Sequence, residues 1–433
     1  MSVTSFPTSN PSRGSLRRKL VQWTPCVAML LLSFISLVDR SILGILSPVI
    51  LRDLHLSAGQ YGVALMVFSI CYMVANPIWG HWMDKLGLFG ATAIAVALWS
   101  AASGAHALLA GFLSMCLARG LLGFGEGATF PAGLKTVTET LPAEQRSFGL
   151  GLAYSGGSLG ALLTPLVITP LALRFGWRSS FVLSAAVGFA WIGGWFLLKG
   201  VGLYRAVLAV PRPAGVVSAS GAGRPSTRSR WNRDLFATAA VYGLGAAPLA
   251  FGLNMGPLYL SRVLHLPQAE LGHLLWLPPA GWEAGYLFWG RVADLRRQKA
   301  LAGGRPQGAA ESPLGLYVLF AAGSAAVGLI PACAALPHAV PLTMALLLVA
   351  MFLSGGFVVI ALAHGATTQA TENTGFLAGF SISGWSLATG LLMPVVGVMF
   401  DRNLYAASFW LVACLPCLGV LAWWRLSTPS VQR

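Results

Sequence analysis

Apolar runs of about 20 residues recur along this 433-residue chain, and they limit its possible folds more than any other feature. A helical run of that length matches the hydrocarbon core of a bilayer. Charged residues make up only 9% of the chain, whereas soluble domains carry about 25%. No run shows the alternation of apolar and polar residues that membrane barrels require. The sequence therefore predicts an all-α polytopic membrane protein.

The runs predict twelve transmembrane helices, numbered 1 to 12 in chain order. The first is not read as a signal peptide, because its apolar stretch is too long and contains Asp39 and Arg40. Helix 4 also carries charges, since Arg119 and Glu126 lie in "LARGLLGFGEG". The expected ranges are 24–50, 59–82, 88–108, 110–138, 146–172, 178–198, 234–264, 270–294, 313–335, 338–366, 375–400 and 404–425.

The distribution of Lys and Arg predicts the orientation, because cytoplasmic loops of membrane proteins are rich in both. With both termini in the cytoplasm, the cytoplasmic segments hold 21 of the 28 basic residues and the opposite segments hold five. The other two, Arg40 and Arg119, lie within predicted helices. We expect a multi-pass protein of the inner (plasma) membrane. Its basic loops would face anionic lipid headgroups, and no nucleic-acid partner is expected.

The two parts of the chain resemble each other. The segment "SPVILRDLHLSAGQYG" at 47–62 aligns with "GPLYLSRVLHLPQAELG" at 256–272, so that Pro48 meets Pro257. The segment "WGHWMD" at 79–84 aligns with "WGRVAD" at 289–294, at an offset of 210 residues. The same offset relates Gly62 to Gly272, the last residues of the first aligned pair. An even number of helices separates the copies, so both have the same orientation in the membrane.

This duplication predicts two parallel six-helix halves, the layout of the major facilitator fold. The first half is expected at 1–198 and the second at 234–433. Residues 199–233, rich in Gly, Pro, Ser and Arg, are predicted to form a basic cytoplasmic linker between them.

Motifs in the first half are shared with a known family. They are "DRSILGILSP" (39–48), "LHLSAGQYG" (54–62), "GHWMDKLG" (80–87), "RGLLGFGEG" (119–127) with "FP" (130–131), "PAEQR" (142–146) and "FGWR" (175–178). With them the chain resembles the anion:cation symporter family of the major facilitator superfamily, which carries sugar acids such as hexuronates and galactonate, aromatic acids and organic anions. In the second half, Asn254 and Tyr259 match the family's helix 7 motif, but Met255 replaces its Trp.

The charges of helix 4 are costly. A charge at the centre of a membrane helix raises the free energy of membrane insertion by about 2.5–3.5 kcal/mol. Each Leu or Phe lowers it by only about 0.3–0.6 kcal/mol. Arg119 and Glu126 are therefore expected to face a wet cavity and other charges, on one helix face and about 10.5 Å apart along the axis. Glycines of "GFGEG" are expected to let helices 1 and 4 approach closely.

Asp39, Arg40, Arg119 and Glu126 can form a neutral cluster in mid-membrane. One reading is an ion-pair network that only fixes helices 1 and 4. The other is anion capture with proton coupling, because an anion entering a neutral cluster makes it negative and favours protonation of a carboxylate. The family resemblance implies that Asp39 and Glu126 are the proton sites, and that Arg40 and Arg119 bind the substrate carboxylate.

Further polar residues complete the candidate substrate site. The resemblance adds Tyr72, Asn254 and Tyr259, and helix position adds Ser155, Ser158, Ser381 and Trp385. Packing at helix crossings is the alternative role for Tyr72 and the helix 5 serines. Glu283 in helix 8 is either a second ion site or a partner of Arg291, two turns away.

The expected function is proton-coupled symport, in the uptake direction, of an organic carboxylate such as a sugar acid (a hexuronate or aldonate) by alternating access. The expected partners are the small organic anion, a proton (with sodium as the alternative ion) and the lipid bilayer, and the chain is expected to be a monomer. One alternative is a proton-driven multidrug or metabolite exporter of the same fold, and another is a non-transporting membrane sensor. No nucleotide, metal or nucleophile motif is recognised, so neither a cofactor nor enzyme activity is expected.

Overall fold

A computed structural model describes residues 11–142, 145–200, 231–302, 312–368 and 374–427. Within these residues, ten helical segments are long and apolar enough to cross a membrane. They correspond to ten of the twelve predicted spans. The other two spans are helical as well, but helix 4 is divided at Gly127–Ala128, and helix 8 carries Glu283, Arg291 and Asp294. The predicted all-α multi-pass fold is confirmed.

In the first half, helix 1 is followed by a short segment, helix 3 ends in a 3-10 turn, and helix 4 has two parts. The bounds are Pro11–Ile45 and Ser47–Asp53 (helix 1), Ala58–Leu86 (helix 2), Leu88–Ala105 and His106–Leu108 (helix 3), Phe112–Glu126 and Thr129–Thr140 (helix 4), Arg146–Phe175 (helix 5) and Trp177–Gly200 (helix 6).

In the second half, helices 7, 8 and 9 are divided and helices 10 to 12 are continuous. The bounds are Arg233–Gly245, Ala247–Asn254 and Gly256–Arg262 (helix 7), Gln268–Leu274 and Leu277–Ala302 (helix 8), Leu314–Ser324, Ala325–Leu329 and Ile330–Cys333 (helix 9), Ala339–Thr368 (helix 10), Thr374–Asp401 (helix 11) and Tyr405–Leu426 (helix 12). Of the predicted linker, residues 201–230 lie outside the described residues, so the proposed domain limits stay a prediction.

Helices 1 and 7 are both interrupted next to the prolines of the repeat. Pro48 has no N–H to donate to the carbonyl of Gly44, and the Ser47 hydroxyl donates to that carbonyl instead, over 2.7 Å. The two helices meet at this level, because a methyl group built on Gly44 would lie 2.7 Å from the carbonyl oxygen of Leu253. The interruption of both helices therefore lies where the halves cross.

The halves share one apolar core at one end of the bundle and have separate cores at the other. The shared core contains buried residues of both halves, such as Leu46 and Tyr61 from the first and Phe251 and Met393 from the second. The two other clusters draw their buried members from one half each. We call the end with the shared core, where helices 2 and 8 begin, the closed end, and the opposite end the open end.

Polar contacts also join the halves at the closed end. The carboxylate of Asp401, at the end of helix 11, accepts from the backbone N–H groups of Ala58 (2.8 Å) and Gly59 (2.7 Å) at the start of helix 2. The Tyr61 hydroxyl donates to the carbonyl of Asn254 over 3.1 Å. Carboxylates are stabilised at helix N-termini by the unpaired N–H groups there, so Asp401 holds helix 11 against helix 2.

Asp53, also at the closed end, makes its polar contacts within the first half. Its carboxylate accepts from the indole N–H of Trp177 (3.0 Å) and from Arg178 (2.9 Å). These hydrogen bonds, that of Trp177 first, hold the pKa of Asp53 below its usual range. The contact ties the end of helix 1 to the start of helix 6.

The open end carries Asp84, the acid of the "GHWMDKLG" motif. Asp84 forms an ion pair with Lys135 of helix 4, and Lys135 also lies 3.8 Å from Glu139. The described helix ends on this side carry more basic residues (Lys85, Lys135, Arg146, Lys199, Arg233, Arg296, Lys299 and Arg425) than those on the opposite side (Arg52, Arg174, Arg178, Arg262 and Arg402). The open end is thus the more basic end of the described structure.

Candidate functional site

A cavity lies between the two halves near the middle of the bundle. The space open to the centres of water molecules is about 80 Å³, which is room for several waters, since one needs about 10–15 Å³ on this measure. Helices 1, 2 and 4 of the first half and helices 7, 8 and 11 of the second contribute to it. Its lining residues are Leu37, Arg40, Ser41, Leu65, Phe68, Ser69, Tyr72, Arg119, Leu249, Ala250, Leu253, Asn254, Trp282, Trp385, Ser386 and Thr389.

Arg40 lines this cavity and forms an ion pair with Glu126 of helix 4. Its Nε donates to Oε2 of Glu126, and the Ser36 hydroxyl donates to the same oxygen over 2.9 Å. The Glu126 side chain is completely buried. The guanidinium of Arg40 also lies 4.4 Å from the ring centre of Tyr72. The positive charge of Arg40 is thus compensated by the carboxylate of Glu126.

Arg119 lines the cavity without such an acid partner. Its guanidinium lies 4.5 Å from the ring centre of Phe68, and the residue is only 2% exposed. Among the described residues, its Nε and Nη1 have no hydrogen-bond partner, and no carboxylate forms an ion pair with it. A buried cation without a partner is costly, whereas a guanidinium fork matches a carboxylate in two hydrogen bonds. Arg119 is thus a buried cation at the cavity whose charge no described acid partner compensates.

Asp39 lies on another side of helix 1, away from the cavity. Its Oδ1 accepts from the hydroxyls of Ser103 in helix 3 and Ser184 in helix 6, each over 2.5 Å. The residue is 1% exposed, and its Oδ2 has no partner within the described part of the chain. The structure therefore brings Arg40 and Arg119 to the cavity. Glu126 is buried beside Arg40 without lining the cavity, and Asp39 lies on another side of helix 1.

The glycines of helix 4 pack against helices 2 and 3. A methyl group built on Gly123 would lie 2.4 Å from the carbonyl oxygen of Phe68, and one on Gly125 would lie 2.7 Å from Cβ of Trp99. The expectation that these glycines let helices 1 and 4 approach is therefore wrong. Their small size instead brings Arg119 close to Phe68, because it lets helices 2 and 4 approach.

Three of the predicted substrate residues join Arg40 and Arg119 at the cavity: Tyr72, Asn254 and Trp385. The Asn254 amide donates to the carbonyl of Ala250 over 2.8 Å, so its side-chain oxygen remains available as an acceptor. The Trp385 indole donates to the carbonyl of Ala246 over 3.3 Å, which fixes its ring at the wall of the cavity. The second half thus presents neutral groups, and the charges come from the first half.

Sequence reasoning missed Trp282, Ser386 and Thr389, which also line the cavity. The repeat carried a signal for the first of them. At the offset of 210, Trp282 is the counterpart of Tyr72, and the structure places both at the cavity. The other two follow Trp385 in helix 11 without a motif that would have marked them.

Ser155 and Ser158 lie outside the cavity lining, at the crossing of helices 1 and 5. Each hydroxyl donates to a carbonyl of its own helix, that of Ser158 to Ser155 over 3.1 Å. Helix 5 touches helix 1 closely here, because a methyl group built on Gly156 would lie 1.9 Å from the carbonyl oxygen of Leu30. Packing of small residues accounts for this position of the two serines.

Tyr259, Ser381 and Glu283 are also absent from the cavity lining. Tyr259 is buried in the shared core at the closed end, where its hydroxyl donates to the carbonyl of Ile330 over 3.4 Å. Ser381 is buried, and its hydroxyl has no partner within the described residues. Glu283 is half-buried, and the suggested ion pair with Arg291 is not formed in the described structure.

Comparison with known proteins identifies the family. The sequence model described as Major Facilitator Superfamily matches residues 29–309. The chain belongs to this superfamily. The same fold is found in the crystal structure of a bacterial homologue of the human lysosomal transporter Spinster, in its inward-facing and unoccupied conformation. That chain superimposes with a TM-score of 0.75 at 14% sequence identity, over 94% of this chain and 99% of its own length.

The curated relatives of this chain include transporters of sugar acids. The hexuronate transporter of Escherichia coli K12 is 30% identical over 179 residues, which are 41% of this chain and 41% of the relative. The match thus spans about two fifths of that transporter. The galacturonate transporter of Dickeya chrysanthemi is 26% identical over 265 residues, 59% of this chain and 76% of the relative. The predicted resemblance to carriers of sugar acids is confirmed.

Proposed function

We propose that this protein is a secondary transporter that takes up a monocarboxylate of the sugar-acid class, by alternating access and together with a proton. The observation that carries the proposal is the guanidinium of Arg119, which is buried at the central cavity and has no acid partner among the described residues. The sugar acids carried by the relatives provide the carboxylate that such a group would bind. In this role the protein binds and releases its substrate unchanged and needs no cofactor.

The arrangement of cores supports alternating access. A shared core and the contacts of Asp401 close one end, while the separate cores of the two halves lie toward the other. With the basic open end in the cytoplasm, the protein is inward-facing, in an inner membrane, with both termini cytoplasmic. Uptake would then release the anion from this conformation.

The buried charges support proton coupling. Arg40 and Glu126 neutralise each other, and Asp39 and Arg119 carry opposite charges on either side of helix 1. An anion at Arg119 would leave the group of charges net negative, and a proton on Glu126 or Asp39 would restore neutrality before the halves rock past each other. Moving a net charge through a bilayer is costly, so the doubly loaded carrier crosses more readily. Sodium is the alternative ion.

The exporter and the sensor are the rival functions. A drug exporter would have to accommodate diverse apolar cations, whereas the unpaired charge at this cavity is positive. A sensor would bind the same anion without moving it. The protein acts as a monomer in our proposal, because each half supplies its own part of the site within one chain.

The test is transport by purified protein in liposomes. Labelled galacturonate should accumulate when the outside is acidified, and the internal pH should fall with it, as reported by an enclosed dye. Galactonate, benzoate and a cationic dye serve as competitors. Accumulation driven by a sodium gradient alone would identify sodium, and not the proton, as the coupled ion. Binding of galacturonate without accumulation or exchange would favour the sensor, and proton-driven efflux of the cationic dye would favour the exporter.

A further inference from the structure

Phe68 of helix 2 lies against both arginines of the cavity. The guanidinium of Arg119 is 4.5 Å from the centre of the Phe68 ring, and that of Arg40 is 5.1 Å from it. The residue lines the cavity and is 8% exposed. A guanidinium within about 6 Å of a ring centre is attracted by the negative face of the ring, most strongly where water is excluded. Phe68 thus contacts the two cations of the candidate site.

The position of this ring is fixed by close packing of helix 2 against helix 4. A methyl group built on Gly123 would lie 2.4 Å from the carbonyl oxygen of Phe68, so a side chain at that position would push the two helices apart. Gly123 is one helical turn from Arg119, on the same face of helix 4. The Phe68 ring also stacks on that of Tyr72, with centres 5.9 Å apart and an angle of 16°. A backbone contact and a neighbouring ring therefore hold Phe68 beside Arg119.

The two arginines depend on the Phe68 ring to different extents. Arg40 is paired with Glu126, and its guanidinium is closer to the ring of Tyr72, at 4.4 Å, than to that of Phe68. Arg119 has no acid partner within the described structure, and its Nε and Nη1 make no hydrogen bond there. A buried cation without compensation is costly. The face of the Phe68 ring therefore offsets a charge that no described acid neutralises.

We propose that Phe68 is a positioning residue of the anion site, whose ring holds and compensates the guanidinium of Arg119 while no anion is bound; this rests on the proposed function. A bound carboxylate neutralises the same guanidinium, so the ring and the anion partly replace each other. The attraction between ring and cation therefore stabilises the empty protein more than the loaded one. Phe68 and Arg119 both belong to the first half, so the contact stays intact when the halves rock past each other.

A double-mutant cycle tests the contact between ring and cation without any substrate. Phe68→Leu keeps an apolar side chain but loses the ring face, and Arg119→Met keeps an unbranched side chain without the charge. The unfolding temperature of purified protein is measured for wild type, the two single variants and the double variant. If the ring attracts the guanidinium, Phe68→Leu should lower the unfolding temperature more in wild type than in the Arg119→Met background. Equal losses in both backgrounds would assign Phe68 to apolar packing.

Fluorinated phenylalanines at position 68 change the charge of the ring face and almost preserve its shape. One, two or three fluorine atoms on the ring withdraw electron density stepwise and weaken the attraction for a cation. Because the empty protein loses more stabilisation than the loaded one, affinity for galacturonate should rise at each step, by about fivefold in total. Calorimetric titration measures Kd. The series also decides the question should Phe68→Leu not fold.

Phe251 provides the matched control for the fluorinated series. Its ring is buried in the shared core, where it contacts the rings of Phe400 and Phe409, with centres 6.2 Å and 4.7 Å apart. No guanidinium lies over it in the described structure. The same fluorinated residues at position 251 should leave the Kd of galacturonate unchanged, because the ring there compensates no cation.

A constant Kd along the series at position 68 would overturn the proposal, because the charge of the ring face would then have no influence on the anion. A stepwise loss of affinity would overturn it as well, since the ring would then stabilise the loaded protein more than the empty one. Failure of the proposed function looks different. Wild-type affinity for galacturonate in Arg119→Ala would place the anion elsewhere, and the double-mutant cycle would still show whether the ring compensates Arg119.

Discussion

Arg40 donates from Nε to a carboxylate oxygen of Glu126, and this ion pair joins helices 1 and 4 at the wall of the central cavity. The pair is neutral as a unit. It leaves Arg119 as the cation at the cavity whose charge is not matched by a described acid partner. The two arginines, which the sequence presents as equivalent, therefore have different environments. In the proposed function Arg119 binds the anion, while Arg40 pairs with Glu126.

Arg119→Lys should weaken binding of galacturonate sharply, and Arg119→Ala should abolish detectable binding. Lysine keeps the charge but loses the planar fork that matches a carboxylate. Loss of one partner of a buried charge pair costs about 2–5 kcal/mol, which is roughly 30-fold or more in Kd. Calorimetric titration of purified protein measures the change. Arg178→Lys, a cation at the closed end away from the cavity, is the matched control, and wild-type affinity in Arg119→Ala would place the anion elsewhere.

Glu126→Gln should separate binding from energy coupling. The glutamine keeps the shape and stays neutral, so the variant should exchange labelled for unlabelled galacturonate but fail to concentrate it when a pH gradient is imposed. Loss of the negative charge also frees Arg40, so affinity for the anion should hold or rise. Binding by wild type should weaken as pH rises through the titration of the coupling carboxylate, and this dependence should flatten in Glu126→Gln. Normal accumulation by the variant would return Glu126 to a structural role.

The overall fold could be predicted from the sequence because it depends on properties averaged over whole segments, such as hydropathy. Hydropathy places the helices, and the repeat of Pro48 and Pro257 indicates two halves in the same orientation. Charges in apolar runs likewise mark Arg40, Arg119 and Glu126 as candidate site residues, because a charge inside a membrane helix is costly unless it faces a partner or a wet cavity. These inferences need no knowledge of which atoms touch.

The pairing within the site could not be predicted in the same way. Which side of helix 1 faces the cavity depends on its packing against helices 3, 5 and 6, so the sequence alone did not separate Asp39 from its neighbour Arg40. Tyr259 matches a family motif, yet it is buried in the shared core, in the segment of helix 7 that follows the division at Met255. Trp282 was marked only by its repeat partner, Tyr72. Contacts between helices that are far apart in the sequence determine where these side chains lie.

Membrane orientation is the next prediction. In a background without the native cysteines, Gly215→Cys in the predicted linker should be protected from impermeant thiol reagents in intact cells. Leu336→Cys, at an exposed position between helices 9 and 10, should be labelled, because the few basic residues on that side place it outside. Permeabilised cells, in which both should react, provide the control. Labelling of position 215 in intact cells would reverse the orientation and make the present conformation outward-facing.

The last prediction concerns the contact that holds the closed end. Asp401→Asn should shift the protein toward opening at that end, because an amide has one acceptor oxygen in place of two and carries no charge for the helix 2 N-terminus. Hydrogen bonds to a charged group contribute about 1.5–3 kcal/mol when buried. Asp401 is 30% exposed, so a smaller effect, about 1 kcal/mol or a fivefold change in population, is expected.

A reporter cysteine in the cavity measures this shift. Ser386 is buried in the cavity wall of the present conformation. In the variant Ser386→Cys, the thiol can react with an impermeant reagent from the closed-end side only if that end opens. Adding Asp401→Asn should speed that reaction about fivefold and slow reaction from the open end. Asp53→Asn is the matched control, since it removes a closed-end carboxylate that binds Trp177 and Arg178 within one half. Equal acceleration by both variants would mean that general loosening of the closed end, and not the contact between helices 2 and 11, controls its opening.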